Sequence, residues 1–222
     1  MKLIAENISK TIRGKKILSE ISLELEGRKI YGFTGPNGSG KTMLFRALSG
    51  LMSVDSGTIR WNGRVLRRDF SVLPGLGIIL ENVSLYPNLT GFQNLKYLAD
   101  IKGKIHSKEI RAALNRVGLD PDDRRTYRKY SLGMKQRLAI AQAVMEKPDV
   151  IMLDEPTNGL DDEGVEIIRR LILEEKERGA LILLASHNSS DISILTDIVY
   201  RIDNGTLREV KRKLPVYFKS RS

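Results

Sequence analysis

The sequence predicts an α/β fold with three parts: a core built on a parallel sheet, an N-terminal antiparallel β subdomain and an inserted helical subdomain. Apolar or alternating segments broken by glycines over residues 3–33 indicate paired strands. Apolar residues at helical spacing over residues 85–147 indicate helices. From residue 148 onward, short apolar segments alternate with helical stretches, which is typical of a parallel sheet with crossover helices.

The chain of 222 residues is long enough to bury a full core, and we expect one domain over residues 1–222. Residues 1–84 and 148–222 are assigned to the core with its β subdomain, and residues 85–147 to the helical subdomain. Asn62-Gly63 and Asn204-Gly205 are hairpin signals. Strands are predicted over residues 3–8, 17–25, 29–33, 58–61, 75–80, 150–153, 181–185, 198–202 and 206–210.

Helical patterns occupy the segments between these strands. Ser107 is predicted to cap the N-terminus of one helix, because serine accepts hydrogen bonds from free N–H groups of the first turn. Pro148 stops another helix and Gly179 ends a third. The predicted helices cover residues 43–49, 90–101, 107–117, 134–146 and 163–178.

Composition restricts the possible classes of function. The absence of cysteine excludes disulfides, zinc–thiolate sites and a cysteine nucleophile, and it favours a reducing cytoplasm. No apolar run approaches the ~18 residues of a membrane-spanning helix. The first residues lack the apolar centre of a signal peptide. We therefore expect a chain that does not span a membrane.

The net charge of +10, from 37 lysines and arginines against 27 aspartates and glutamates, suits an anionic partner. Nucleotide, membrane surface and nucleic acid all remain possible at this point, as does a basic face that is simply solvated. The charge is densest over residues 124–129 and 211–221. If the tail meets anionic lipid, Arg212 and Lys213 are the expected contacts.

A glycine-rich segment lies between a predicted strand and a predicted helix and fits the pattern G-x-x-x-x-G-K-[S/T]. Its backbone N–H groups and the helix dipole favour a polyphosphate, with Lys41 against the β- and γ-phosphates and Thr42 as a ligand of Mg²⁺. A plain turn without a ligand would explain neither side chain. The segment comprises Gly35, Pro36, Asn37, Gly38, Ser39, Gly40, Lys41 and Thr42.

Two carboxylates, Asp154 and Glu155, end the apolar strand at residues 150–153, at the sheet edge where open α/β folds bind ligands. Beside a phosphate loop, Asp154 suits the Mg²⁺ environment and Glu155 suits a base for the attacking water. Two acids that simply start a loop are the plain alternative, which the phosphate loop upstream makes the weaker one.

With these motifs the sequence resembles the ATP-binding cassette (ABC) ATPase subunits over nearly its whole length. Residues 130–137, YSLGMKQR, are similar to the signature segment, residues 158–161 to the D-loop, and Ser186-His187 to the H-loop. The resemblance implies that ATP with Mg²⁺ is bound in a head-to-tail dimer. Ser131 and Gly133 would contact the ATP of the opposite subunit, and Asp161 would lie at the dimer seam. A lone histidine is more often packed or solvated, but the family spacing gives His187 a catalytic role at the γ-phosphate.

The sequence departs from the family pattern at functional positions. Glu81 stands where a glutamine usually ligates Mg²⁺, so we expect it to offer an oxygen but to add negative charge beside the phosphates. Ile12 stands near the position where the family usually has an aromatic residue that stacks on adenine. We therefore expect Ile12 and Arg13 to hold the base and ATP to bind more weakly than it would with an aromatic residue. Leu132 and Met134 replace a usual glycine and glutamine, a form associated with bacitracin and lantibiotic exporters.

The resemblance implies an ATPase coupled to transport at the cytoplasmic face of the membrane. A separate transmembrane permease would be driven by ATP-dependent dimer closure, with a peptide antibiotic or other small hydrophobic compound as cargo. The ATPase dimer would form with itself or with a homologous ATPase, and residues 81–93 would receive the permease. The alternative is a soluble, non-transport ABC ATPase acting on nucleic acid, ribosomes or iron–sulfur assembly. The single cassette and the 89 positions between Thr42 and Ser131 make nucleic acid the weaker choice.

Overall fold

The computed structural model describes residues 1–80 and 84–210 of the chain. Strands and helices follow one another in an order that matches the α/β pattern. They are β1 (Lys2–Ile12), β2 (Lys15–Glu26), β3 (Lys29–Thr34), α1 (Lys41–Ser49), β4 (Ser56–Trp61), β5 (Arg64–Val65), β6 (Leu76–Ile79), α2 (Gly91–Lys102), α3 (Ser107–Arg116), α4 (Leu132–Val144), β7 (Val150–Asp154), α5 (Asp162–Arg178), β8 (Leu181–Ala185), α6 (Ser189–Leu195), β9 (Ile198–Asp203) and β10 (Thr206–Val210).

A 4-stranded antiparallel sheet contains the N-terminal strands in the order β2-β1-β4-β5. From Ile21 to Leu25, every second residue of β2 is buried. This alternation is the period of a strand with one face against the core. The antiparallel β subdomain predicted from the sequence is therefore present.

The main sheet has 6 strands in the order β10-β9-β3-β8-β7-β6. The five strands from β9 to β6 are parallel, and β10 pairs with β9 in antiparallel fashion. All residues of β8 are buried, as expected for a strand covered on both faces. Because the parallel strands end at one edge, the loops after β3, β7 and β8 meet there.

The core lies on both faces of the main sheet. Ile151 and Leu153 of β7 pack with residues of α2 to α5 on one face. Val150 and Met152 face the other side, where α1 and the antiparallel sheet pack against them. The alternation of β7 side chains thus joins two apolar clusters across one sheet.

Helices α2, α3 and α4 lie between β6 and β7 in the chain and pack in sequence, α2 on α3 and α3 on α4. Thr90 caps α2 and forms a capping box with Gln93. In the described parts of the chain, no helix is long and apolar enough to cross a membrane.

Several predicted boundaries were wrong. The N-cap of α3 is His106 rather than Ser107, and the backbone N of His106 donates to Glu109 Oε2 at 3.0 Å. Helix α4 begins at Leu132, two positions before the predicted start, because Ser131 serves as its N-cap. Helix α6 and the short strand β5 were not predicted. Glu81 and the basic tail at 211–221 lie outside the described residues.

Candidate active site

A cleft of about 990 Å³ opens where the loops after β3, β7 and β8 meet the tip of the β1–β2 hairpin. It brings together residues that are far apart in the chain and that the sequence analysis selected for different reasons. Ten of the predicted site residues line it: Ile12, Arg13, Asn37, Gly38, Gly40, Lys41, Thr42, Asp154, Glu155 and His187.

The glycines of the phosphate loop occupy positions that other residues cannot. Gly35 has a φ of 147°, and a Cβ there would lie 2.2 Å from the carbonyl oxygen of Ile202 in β9. Gly40 has a φ of 111° and is the N-cap of α1. It has no side chain to satisfy the first N–H groups of the helix, so they remain available to an anion.

The loop is also braced by the β9–β10 hairpin. The backbone N of Gly205 donates to Ser39 O at 3.2 Å, and Ser19 N donates to Gly205 O at 2.8 Å. Ser39 Oγ is buried without a hydrogen-bond partner among the described residues. A buried hydroxyl without a partner inside an anion cradle fits a phosphate-bearing ligand.

Lys41 is buried, and its ammonium lies across the loop. Nζ donates to Gly35 O at 2.7 Å and Pro36 O at 3.1 Å, and it lies 3.5 Å from His187 Nε2. Burial lowers the pKa of Lys41, while the charges of Asp154 and Glu155 act in the opposite direction. The cation is thus held at the centre of the cleft.

Thr42 and Asp154 form a donor set suited to Mg²⁺. Thr42 Oγ1 donates to Asp154 Oδ2 at 2.6 Å, so a hydroxyl and a carboxylate lie in contact at the floor of the cleft. Magnesium prefers such hard oxygen ligands and retains waters beside one or two protein groups. The two residues fit the metal.

Glu155 has a left-handed backbone conformation, with a φ of 50°, which is unusual for a residue other than glycine. Its backbone N donates to Ala185 O at 2.9 Å, and the backbone N of His187 donates to its Oε1, also at 2.9 Å. His187 Nε2 lies 3.6 Å from the same oxygen. Burial raises the pKa of Glu155, and His187 partly offsets this. A carboxylate with a raised pKa is a better proton acceptor for a water molecule.

Ile12 and Arg13 lie at the end of β1, with Ile12 half-buried and Arg13 exposed. Lys15 and Ile17 of β2 line the cleft as well, and sequence reasoning missed both. Strand β1 was predicted to stop at residue 8. Register shifts between Ala5 and Thr11 break its alternation, so the pattern hides the hairpin that carries these residues.

Ser131, Gly133 and Asp161 do not line the cleft. Ser131 Oγ accepts from Met134 N at 3.2 Å at the start of α4, and Asp161 Oδ1 accepts from Gly164 N at 3.1 Å at the start of α5. Helix α4 is nevertheless tied to the loop after β7, because Gln136 Nε2 donates to the carbonyls of Glu155 and Pro156, each at 3.2 Å. No pattern in the sequence predicts this link.

Fold and site together define a phosphate-loop protein of the kind that binds and hydrolyses nucleoside triphosphates. The family described as ABC transporter matches residues 18–158 of the chain. The chain belongs to this family and is an ATP-hydrolysing subunit of the ABC type.

Relatives and solved structures agree with this assignment. The chain is 45% identical over 201 residues to the ABC transporter ATP-binding protein YybJ of Bacillus subtilis, covering 90% of this chain and 92% of YybJ. It is 37% identical to the lantibiotic transport ATP-binding protein SrtF of Streptococcus pyogenes, covering 91% and 87%. It is 40% identical to the bacitracin transport ATP-binding protein BcrA of Bacillus licheniformis, covering 91% and 67%. In fold it resembles an ABC transporter ATP-binding subunit of known structure, with a TM-score of 0.84 and 24% identity, covering 95% and 90%.

Proposed function

We propose that this chain hydrolyses ATP at the cytoplasmic face of the membrane to drive a separate transmembrane permease that exports a peptide antibiotic or a similar hydrophobic compound. Relatives named for lantibiotic and bacitracin transport support this cargo class. They also favour transport over a soluble ATPase that acts on nucleic acid, ribosomes or iron–sulfur assembly. The observation that carries the proposal is the convergence of Lys41, Glu155 and His187 in one cleft.

We assign roles in ATP hydrolysis to the predicted residues that line the cleft. The loop N–H groups and Lys41 bind the phosphates, while Ile12 and Arg13 lie where the base would be held. Thr42 and Asp154 would hold Mg²⁺, which supplies charge neutralisation at the phosphates when bound. Glu155 accepts the proton of the attacking water, and His187 stabilises the terminal phosphate.

The position of the signature residues supports a dimer. Ser131, Gly133 and Asp161 lie outside the cleft of their own chain, as expected if they complete the ATP site of an opposing subunit. That subunit is a second copy of this chain or a homologous ATPase. Leu132, with 70% of its surface exposed beside Gly159, would be covered in the same interface. Glu81 lies outside the described residues, and its role as a ligand of Mg²⁺ stays a prediction.

We place the permease contact on the helical subdomain, residues 85–147, with residues 1–84 and 148–222 forming the core. An apolar depression of about 420 Å³ there is lined by Tyr86, Pro87, Asn88, Leu89 and Tyr97. The rings of Tyr86 and Tyr97 meet edge to face, 4.9 Å apart, and are 49% and 51% exposed. Exposed aromatic pairs of this kind are typical anchors for a partner helix.

We expect a variant that binds ATP but cannot hydrolyse it to stay bound to its permease during purification. A Glu155→Gln variant, loaded with ATP and Mg²⁺ in native membranes and purified in mild detergent, should retain an integral membrane protein. Adding Tyr86→Ser should reduce the captured protein at least about fivefold, because the depression loses an aromatic anchor. Leu51→Ser, at an equally exposed apolar residue outside the depression, should not reduce it. Ribosomal proteins or nucleic acid in place of a membrane protein would overturn the proposal.

An Ile12→Tyr variant should bind ATP about tenfold more tightly, since stacking on a base contributes about 1–3 kcal/mol and tenfold corresponds to about 1.4 kcal/mol. Isothermal titration with ATP would measure the change. Ile4→Tyr, in the same strand but outside the cleft, should leave the affinity unchanged. Equal affinities for the Ile12→Tyr variant and the original chain would show that the base does not lie on Ile12.

A further inference from the structure

A buried carboxylate lies close behind the loops that carry Glu155 and His187. Asp191, in the first turn of α6, is 0% exposed, yet each of its oxygens accepts a hydrogen bond. Oδ1 accepts from Arg169 Nε at 2.9 Å and Nη2 at 2.7 Å, and Oδ2 accepts from Thr157 Oγ1. A charge this deeply buried is tolerated only when it is paired and fully hydrogen-bonded, as here.

The three residues belong to different elements. Thr157 lies two positions after Glu155, in the loop that follows β7. Asp191 lies four positions after His187, at the start of the helix that follows β8. Arg169 belongs to α5 and forms a second ion pair with Glu166, at 2.7 Å. The buried cluster therefore joins the two loops that carry Glu155 and His187.

Glu155 depends on this relative placement. Its carboxylate accepts from the backbone N of His187 at 2.9 Å, a contact that requires both loops to keep their separation. The left-handed backbone of Glu155 must also be maintained by its surroundings, because such a conformation is strained for glutamate. On the other side of the loop, Gln136 holds the carbonyl of Glu155. Thr157 and Asp191 supply the support from the side of α6.

We propose that Asp191 and Thr157 are positioning residues that hold the loop of Glu155 against the loop of His187, so that the carboxylate is placed to accept the proton of the attacking water. The inference rests on the proposed roles of Glu155 and His187. It assigns the hydroxyl of Thr157 a function in turnover in addition to packing. Neither residue lines the cleft, so we expect neither to contact the nucleotide.

This role predicts a specific kinetic signature. Thr157→Val keeps the shape of the side chain and the Arg169–Asp191 pair but removes the hydrogen bond from Thr157 Oγ1 to Asp191. We expect kcat for ATP hydrolysis to fall about tenfold, since a misplacement of about 1 Å at a reacting group can cost up to about 100-fold. The KM for ATP should stay within about twofold, because the phosphate loop is untouched.

Matched variants separate positioning from folding. Thr157→Ser restores the hydroxyl and should recover kcat to within about twofold. Thr58→Val removes another threonine hydroxyl that donates to a carboxylate, Glu6 Oε2 at 2.9 Å, but on the antiparallel sheet. It should leave kcat unchanged. Each rate is divided by the folded fraction, measured by circular dichroism at the assay temperature.

Full kcat in Thr157→Val would overturn the proposal, and so would a serine variant as slow as the valine variant. A loss confined to KM would overturn it as well. Asp191→Ala provides a second measurement, and adding Thr157→Val to it should lower kcat no further, because the hydroxyl of Thr157 has then already lost the carboxylate to which it donates. Failure of the proposed catalytic function is distinguishable, since it would show as undiminished turnover in Glu155→Gln alone.

Discussion

Replacing Lys41 by alanine should abolish measurable ATP binding at micromolar concentrations. The ammonium of Lys41 donates to two carbonyl oxygens of the phosphate loop. Among the residues that line the cleft, the other lysine and arginine side chains that could bind the phosphates are Arg13 and Lys15, and both are exposed. Truncating one partner of a buried charged pair costs about 2–5 kcal/mol, so a loss of about 30-fold to several thousand-fold in affinity is expected. Titration calorimetry with ATP and Mg²⁺ measures it directly.

Two further variants make the Lys41 result interpretable. Lys41→Met keeps the aliphatic stem and removes only the charge, and it should bind as weakly as the alanine variant. Lys96→Ala removes an exposed lysine of α2 that pairs with Asp100 at 2.9 Å, and it should bind ATP normally. Near-normal affinity in either Lys41 variant would contradict the assignment of the phosphate loop.

Glu155→Gln should bind ATP but hydrolyse it about 1,000-fold more slowly, because a general base contributes about 100- to 10,000-fold. The amide keeps the hydrogen bond from the backbone N of His187 but cannot accept the proton of water. With hydrolysis stalled, closed dimers should accumulate with ATP and be visible by light scattering. Glu177→Gln, an exposed carboxylate of α5, is the control and should hydrolyse ATP normally. Undiminished turnover in Glu155→Gln would place the base elsewhere.

The same residue gives a pH dependence with a defined sign. Burial raises the pKa of Glu155, and the base acts only when it is deprotonated. As the pH falls, kcat should therefore decline at a higher pH than an ordinary glutamate would produce. A pH–rate profile at saturating ATP measures this limb. The limb should be absent from the residual activity of Glu155→Gln, and its persistence there would assign it to another group.

The parallel sheet and the phosphate loop could be predicted because their signals are local. The strand before Gly35 and the helix after Thr42 adjoin the loop in sequence, and β7 and β8 are uninterrupted apolar segments between recognisable turns. Short-range patterns of this kind determine where a strand meets a ligand. The Asp154–Glu155 pair followed from the end of such a strand.

Features that depend on contacts between distant residues could not be predicted. Helix α6 has 7 residues, too few for a helical period to be recognised. The preference of serine for N-cap positions favoured Ser107. In the structure His106 is the N-cap, and its backbone N donates to the carboxylate of Glu109. The hydrogen bond from Thr157 to Asp191 joins residues 34 positions apart, and the one from Arg169 to Asp191 joins residues 22 positions apart. No sequence pattern predicts either bond.

The support that the β9–β10 hairpin gives to the phosphate loop has a consequence for the order of synthesis. Residues 35–42 are synthesised before residues 202–205, yet the carbonyl of Ile202 and the backbone of Gly205 complete their surroundings. A nascent chain that has not yet reached residue 205 lacks this brace. The surroundings of the phosphate loop are therefore complete only after residue 205 has been synthesised.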